Sequence, residues 1–511
     1  MERIEEGLAT AGPTVEPTLG GDAMRIKGMC GMGELGKNAD RGGPWSVAGI
    51  GQPAVIGLCI AVLAGCTALD MADYKRPDTP GKSSWSRPEM VSAADAITAD
   101  WWKEFHDPHL EALVNKAIAG NFDLKVLAAR IGVANAQIGE ARAGALPVVD
   151  VGGGASFEKS TGQKSSKQFS LASQLNWEID IWGKVEKGVQ AQTAEFRASE
   201  ADWRAGYLTL VSNVSTTYFQ IAQFDEQIEF QRRALDKGKR ILAIYEGMLQ
   251  NGLVPQTQVV RQRAEINRLT NDLLELNRSR ALAENALATL VGLPAGEFKV
   301  PTGRLRGEVQ PPEVPAGLPS SLLARRPDIV AAEYRVLEFY NLTGQAKLAQ
   351  LPSISLTARG GTSSFALTDL LKSFTLGFLP SINIPAFDPS IKARVKTSEA
   401  QEKVAEQEYR RTVVAAFEEV ENALVNLDAH KAQRKELRQQ VDHLRSVADQ
   451  VNAQLKEGLI SQLEVFETER SLLTAELALL ANQQQVLTDT VILYKSLGGG
   501  WPNVEVGQAG K

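Results

Sequence analysis

The chain has 511 residues, a formal net charge of −6, 43% hydrophobic and 23% charged residues. These proportions fit a folded protein and exclude a disordered one. The acidic balance and the lack of a basic run argue against a nucleic-acid partner. Length alone favours two or more ordinary domains.

Residues 54–64 form an eleven-residue apolar run, Ala54 to Ala64. It is too short to span a bilayer as a helix and has the length of a signal-peptide core. It ends in Leu63-Ala64-Gly65-Cys66, small residues before a cysteine. This resembles a bacterial lipobox, in which the signal is removed and the cysteine is acylated. Cys66 is therefore the candidate lipidation site. Residues 1–65 read as an extension plus signal peptide, and 66–100 as a lipid-anchored segment. The 53 residues before the run exceed a usual leader, which makes Met24 or Met32 a candidate start. Cys30, Cys59 and Cys66 all lie in this region, so no disulfide framework is expected. His106 and His109 stand three apart and could share a helix face, but read best as a polar surface pair. No metal and no cofactor are expected.

Beyond residue 100 the chain repeats itself. Leu146-Pro147-Val148 returns as Leu351-Pro352-Ser353, and Asp123-Leu124 with Arg130 as Asp328-Ile329 with Arg335, each 205 residues later (147 to 352). Asn251-Gly252-Leu253-Val254 returns as Glu457-Gly458-Leu459-Ile460, 206 later (252 to 458). Landmarks in one order at one offset imply two tandem copies, 101–305 and 306–500, with a tail at 501–511. Between them Phe298 to Pro319 carries five prolines and three glycines, an irregular connection.

Each copy starts with short helices, at Asp107–Ala143 and Ser320–Gln350. Strands are expected at about 147–160 and 168–181, and again at about 352–363 and 373–386. Phe169, Leu171, Leu175, Trp177 and Ile179 alternate with Ser170, Gln174, Asn176 and Glu178. Phe374, Leu376, Phe378, Pro380 and Ile382 alternate in the same way with Thr375, Gly377, Ser381 and Asn383. Period-two patterns of this length fit half-buried strands, and apolar-out, polar-in strands of about ten residues are the transmembrane-barrel pattern. Gly152-Gly153-Gly154 lies within such a strand and reads as close packing, not a phosphate loop.

The strands lead into hairpins at about 184–291 and 388–497. Between Pro389 and Pro502 there is no proline. The descending arms carry Val259, Ile266, Leu269, Leu273, Leu276, Leu287 and, later, Leu463, Phe466, Leu473, Leu477, Leu480 and Leu487, a coiled-coil spacing. Gly252 and Gly458 turn the two hairpins. Helices about 100 Å long must pack against something equally long.

Four strands cannot close a barrel, and open edges are not tolerated in lipid. Two chains would supply eight strands, whose side chains fill the lumen; three would supply twelve and leave room for water. The residues thus point to a mainly α protein with a β-barrel part. No nucleophile elbow, P-loop, zinc signature or dinucleotide fingerprint is present, and no enzyme is expected.

The chain resembles the TolC/OprM family of outer-membrane efflux proteins, specifically its lipidated NodT-type branch. The resemblance runs from Cys66 to about Trp501. It rests on Trp101-Trp102 with Asp107-Pro108-His109-Leu110, on Asp180-Ile181-Trp182-Gly183-Lys184, and on Gly252-Leu253-Val254. Further matches are Leu323-Ala324-Arg325-Arg326-Pro327-Asp328-Ile329, the run Ala415 to Leu424, and Leu497-Gly498-Gly499-Gly500-Trp501. It implies a homotrimer with a twelve-stranded outer-membrane β-barrel continued by a twelve-helix periplasmic α-barrel. The implied partners are outer-membrane lipid, a periplasmic adaptor (membrane fusion protein) and an inner-membrane RND-type pump. The implied function is passive exit duct of a tripartite efflux system. It also implies adaptor docking at the tips, through Gly252, Leu253, Gly458 and Leu459, and a periplasmic gate of acidic rings at Glu464 and Glu467. The family commonly has aspartate there. From the residues alone, the two glutamates equally fit a solvated first turn, where they favour the helix dipole. Type I protein secretion and a lipid-anchored coiled-coil adaptor are the competing functions. An adaptor would need no lipid-facing strands and would usually carry one hairpin, not two.

Overall fold

The structure, a computed structural model, describes residues 73–87 and 97–501, apart from 160, 163–164, 304, 306–308, 310, 315–318, 320–321 and 386. Cys66 and the signal-like run lie outside the described residues.

Helices α1 (Pro108–Gly120) and α2 (Phe122–Ala143) come first. Asn121 separates them. Its extended backbone ends α1, and its Oδ1 accepts the Leu124 amide at 2.9 Å to start α2. Strands β1 (Val148–Glu158) and β2 (Ser166–Ile179) follow, then α3 (Lys184–Gln250) and α4 (Gln256–Val291). After the connection, α5 (Pro327–Leu348), β3 (Ser353–Ser364), β4 (Thr375–Asn383), α6 (Pro389–Lys456) and α7 (Gln462–Ser496) repeat the order. His106 lies ahead of α1, in the left-handed conformation, so it shares no helix face with His109.

α3 and α6 have 67 and 68 residues, so each is about 100 Å long. Their neighbours are shorter: α2 and α5 have 22 residues each, α4 has 36 and α7 has 35. α2 and α4 both pack on α3, while α5 and α7 both pack between α3 and α6. The result is a wall four helices wide at every level.

Strand β2 stops at Ile179, two residues short of its alternating pattern, because Asp180 turns to cap α3. Its Oδ2 accepts the amides of Val185 at 2.9 Å and Glu186 at 3.1 Å. The neighbouring Trp182 donates to the Pro352 carbonyl at 2.7 Å and so ties the first join to the second copy.

The four strands form one antiparallel sheet in the order β1-β2-β3-β4, with β1 and β4 at the edges. Its register is decisive. Val151 faces Ser173, Leu171 faces Thr362, Trp177 faces Leu356, and Leu356 faces Pro380. Directly opposed residues share a face. The apolar sets of all four strands therefore lie on one side, and Asp150, Gln174, Asn176, Ser355, Thr357 and Ser381 on the other.

Below the sheet, the core is aromatic. Trp101, Trp102 and Phe105 are almost fully buried against Tyr207, Phe219 and Tyr494. Trp101 stacks on Tyr494 with ring centroids 4.9 Å apart, and the Tyr494 hydroxyl donates to Glu104. Burial, with Glu104 alongside, pushes the Tyr494 phenol well above its ordinary range. Tyr218 donates to Asp107 at 2.7 Å while Asp107 caps α1.

Arg326 joins distant parts of the second copy. It is only 7% exposed. Its guanidinium meets Asp328 at 2.6 Å, Glu419 of α6 at 2.7 Å and the Ser496 carbonyl of α7 at 3.0 Å. Two family-like stretches thus converge on one side chain, beside the start of a third.

Candidate functional site

The two hairpins turn by the same device. Gly252, with φ +72°, closes the end of α3; its amide bonds the Leu249 carbonyl and the Leu253 amide bonds the Met248 carbonyl at 2.9 Å. Gly458, with φ +73°, closes the end of α6; its amide bonds the Leu455 carbonyl and the Leu459 amide bonds the Gln454 carbonyl at 3.0 Å. Both are Schellman motifs, which require a left-handed residue. Each holds up one leucine at the apex, Leu253 at 69% and Leu459 at 73% exposed. Residues Tyr245, Met248 and Arg261 of the first hairpin and Ile460, Leu463 and Phe466 of the second line a cleft of about 350 Å³ between the tips.

Glu464 lies in the first turn of α7 and Glu467 one turn on, and both are exposed. Val465 between them is buried against the wall. The other acids of α7 are engaged. Glu469 pairs with Lys237 of α3, Glu476 with Arg445 of α6 at 2.8 Å, and Asp489 with His430 at 2.5 Å. Glu464 and Glu467 have no ion pair among the described residues. Gln258 and Arg261 are exposed at the corresponding places in the first copy. The tips therefore differ in charge while sharing backbone geometry.

The Lys237–Glu469 bridge was not expected from sequence. It links the two hairpins across a long separation in the chain, which no local pattern signals. Arg445–Glu476 instead joins the two arms of the second hairpin.

The sheet is the second part of the site. From Phe169 to Ile179 its apolar side spans ten residue steps, about 25 Å of height at a tilt near 40°. That is the thickness of an outer-membrane apolar band. Phe157 and Phe169 meet edge-on at 6.3 Å at the far end, with Phe365 and Phe374 exposed nearby. At the near end Trp177 donates to the Ala145 carbonyl at 2.9 Å. Aromatic rings at both borders are what a membrane interface favours. No helix among the described residues is long and apolar enough to cross a membrane. Among those residues no group of three metal-type ligands is gathered.

A model of the outer membrane efflux protein family matches the chain twice, over residues 113–293 and 318–499. The chain belongs to that family. The probable outer membrane lipoprotein SilC of Salmonella typhimurium is 29% identical over 455 residues, covering 86% of this chain and 97% of SilC. The pyoverdine export outer membrane protein OpmQ of Pseudomonas putida is 29% identical over 432 residues, covering 82% and 92%. The solved open-state MtrE outer membrane channel of Neisseria gonorrhoeae is 27% identical with a TM-score of 0.76, covering 84% of this chain and 98% of MtrE. The chain is thus an outer-membrane efflux channel protein and not an enzyme. The adaptor reading finds no support among these relatives.

Proposed function

We propose that three copies of this chain form the exit duct of a tripartite efflux system. The observation that carries this is the sheet register. It gathers every apolar strand face onto one side and leaves β1 and β4 as open edges. In lipid those edges must be paired, and copies of the same chain supply the partners. Three copies give twelve strands and a wet lumen. The same symmetry rolls three walls, each four helices wide, into a twelve-helix cylinder that buries the exposed Val260, Leu274, Val404 and Val414.

Cys66 anchors the assembly through its acyl chains. Gly252-Leu253 and Gly458-Leu459 present the apices to a periplasmic adaptor, which leads to an inner-membrane RND-type pump. Glu464 and Glu467 form the gate. Three copies bring six carboxylates to the mouth, where they attract cations and repel anions. The lack of an ion pair for these two acids among the described residues, amid paired neighbours on α7, supports that role. The pump partner decides which solute reaches the duct.

Cysteine pairs placed along β1 and β4 test the closure. Cross-links between chains ending in a trimer are expected. Links confined to one chain, or ladders beyond three, would overturn it.

A further inference from the structure

The strands carry few charges. On the polar side of the sheet stand Asp150, Glu158, Glu178 and Arg359, while Lys167 falls on the apolar side, over the Phe157 ring. Arg359 is therefore the one cation on the polar side of the described strands. It sits seventh in the twelve residues of β3, opposite Gln174 on β2 and Gly377 on β4.

No partner accounts for it. Gln174 donates its amide to Asn176 at 2.9 Å, and Glu178 is held by Lys184 at 2.6 Å. Asp150 lies in the same row, but two strands away, about 10 Å. Gly377 contributes no side chain, and a Cβ built there meets nothing within 4 Å. Among the described residues the Arg359 guanidinium makes no hydrogen bond and no ion pair. It is exposed, with open space on its β4 flank.

We propose that Arg359 is a specificity-determining residue of the duct. Its three copies form a cationic ring inside the barrel that favours solutes bearing anionic groups. This rests on the trimeric-barrel reading above. Twelve strands about 4.8 Å apart and tilted about 40° close at a backbone radius of about 12 Å. An extended arginine crosses roughly half of that radius. The three charges then stand about 5–6 Å from the axis, inside the Debye length of about 8 Å at physiological salt. The ring acts across the whole opening at that salt. At 1 M salt, where the Debye length is about 3 Å, it is screened. The tip glutamates lie beyond an α3 about 100 Å long, so the two charged levels act independently.

The test uses the full-length trimer in planar bilayers at about 0.1 M KCl. The probe is hexacyanoferrate(III), a trivalent anion, added on the barrel side. Half-block of the wild-type current sets the reference. Arg359→Gln is expected to raise the half-blocking concentration at least about fivefold, as loss of a charged ring predicts. Arg359→Lys and the outward-facing Lys167→Gln should leave it within about twofold. The difference should vanish at 1 M KCl. Equal block of wild type and Arg359→Gln at low salt overturns the ring. Should Arg359→Gln fail to assemble, Arg359→His replaces it: block should be stronger at pH 5.5 than at pH 8, and pH-independent block would overturn the ring equally. A wild-type trimer that conducts nothing fails the barrel reading instead, which keeps the two failures distinct.

Discussion

Replacing Arg326 by methionine should destabilise the fold through one atom more than through its charge. The guanidinium holds Asp328 by two bonds, Glu419 by one and the Ser496 carbonyl by one. Asp328 and Glu419 are 38% and 55% exposed and regain water when the arginine goes. Those ion pairs contribute about 1 kcal/mol or less each after screening. The Ser496 carbonyl differs, because that residue is buried. An acceptor stranded there costs about 1–3 kcal/mol. The sum is about 2–4 kcal/mol per protomer, with Met refilling most of the volume. Glu419→Gln, which keeps the shape and leaves Ser496 paired, should cost under about 1 kcal/mol. Thermal unfolding in detergent, at one fixed scan rate, ranks the variants. If Glu419→Gln falls as far as Arg326→Met, the charge pair dominates and the carbonyl argument is refuted.

Burial, and then the nearby Glu195 carboxylate, push Glu338 up to about 7. The folded state therefore holds this proton more tightly than the unfolded chain does. The stability it brings is full below about 4.5 and is lost as pH rises through about 7. Glu338→Gln should flatten the unfolding midpoint between pH 5 and 8 and raise it at pH 8, by roughly 1–2 kcal/mol after allowance for solvent. An unchanged pH profile would refute the raised titration of Glu338. Glu464→Gln with Glu467→Gln should weaken current block by polyvalent cations from the periplasmic side; undiminished block counts against the acidic gate. Gly458→Ala should loosen the second tip by about 1 kcal/mol, because alanine resists a φ of +73°. Faster amide exchange at Leu459 reads this out, whereas protection equal to wild type would argue against it. Cys66→Ser should abolish acyl labelling and signal processing, and a labelled variant would rule out Cys66 as the anchor.

What was legible depended on range. Period-two alternation marked Phe169 to Ile179 as a strand with one apolar side, because strand geometry is local. The hairpin glycines were legible because a Schellman turn needs a left-handed residue at one position. Strand ends were less so. Asp180 and Ile181 continue the alternation, yet Asp180 leaves the sheet to cap α3. Short helices were expected within Asp107–Ala143, but the place of the break, at Asn121, was not assigned, although Gly-Asn-Phe-Asp carries a cap signal. Long-range contacts left no mark. Arg326 with Ser496, and Lys237 with Glu469, join residues far apart in sequence, and only the packing of α3, α6 and α7 brings them together. That Glu464 and Glu467 make no ion pair among the described residues became meaningful only once Glu469, Glu476 and Asp489 were seen to be engaged.

The central claim is that copies of this chain enclose a water-filled path. Conductance of the purified, mass-verified trimer in a planar bilayer tests it most directly. The account predicts discrete current steps, with ion preference shifted by the tip glutamates. A stable trimer that inserts and carries no current at any voltage, even with Glu464 and Glu467 neutralised, would contradict it.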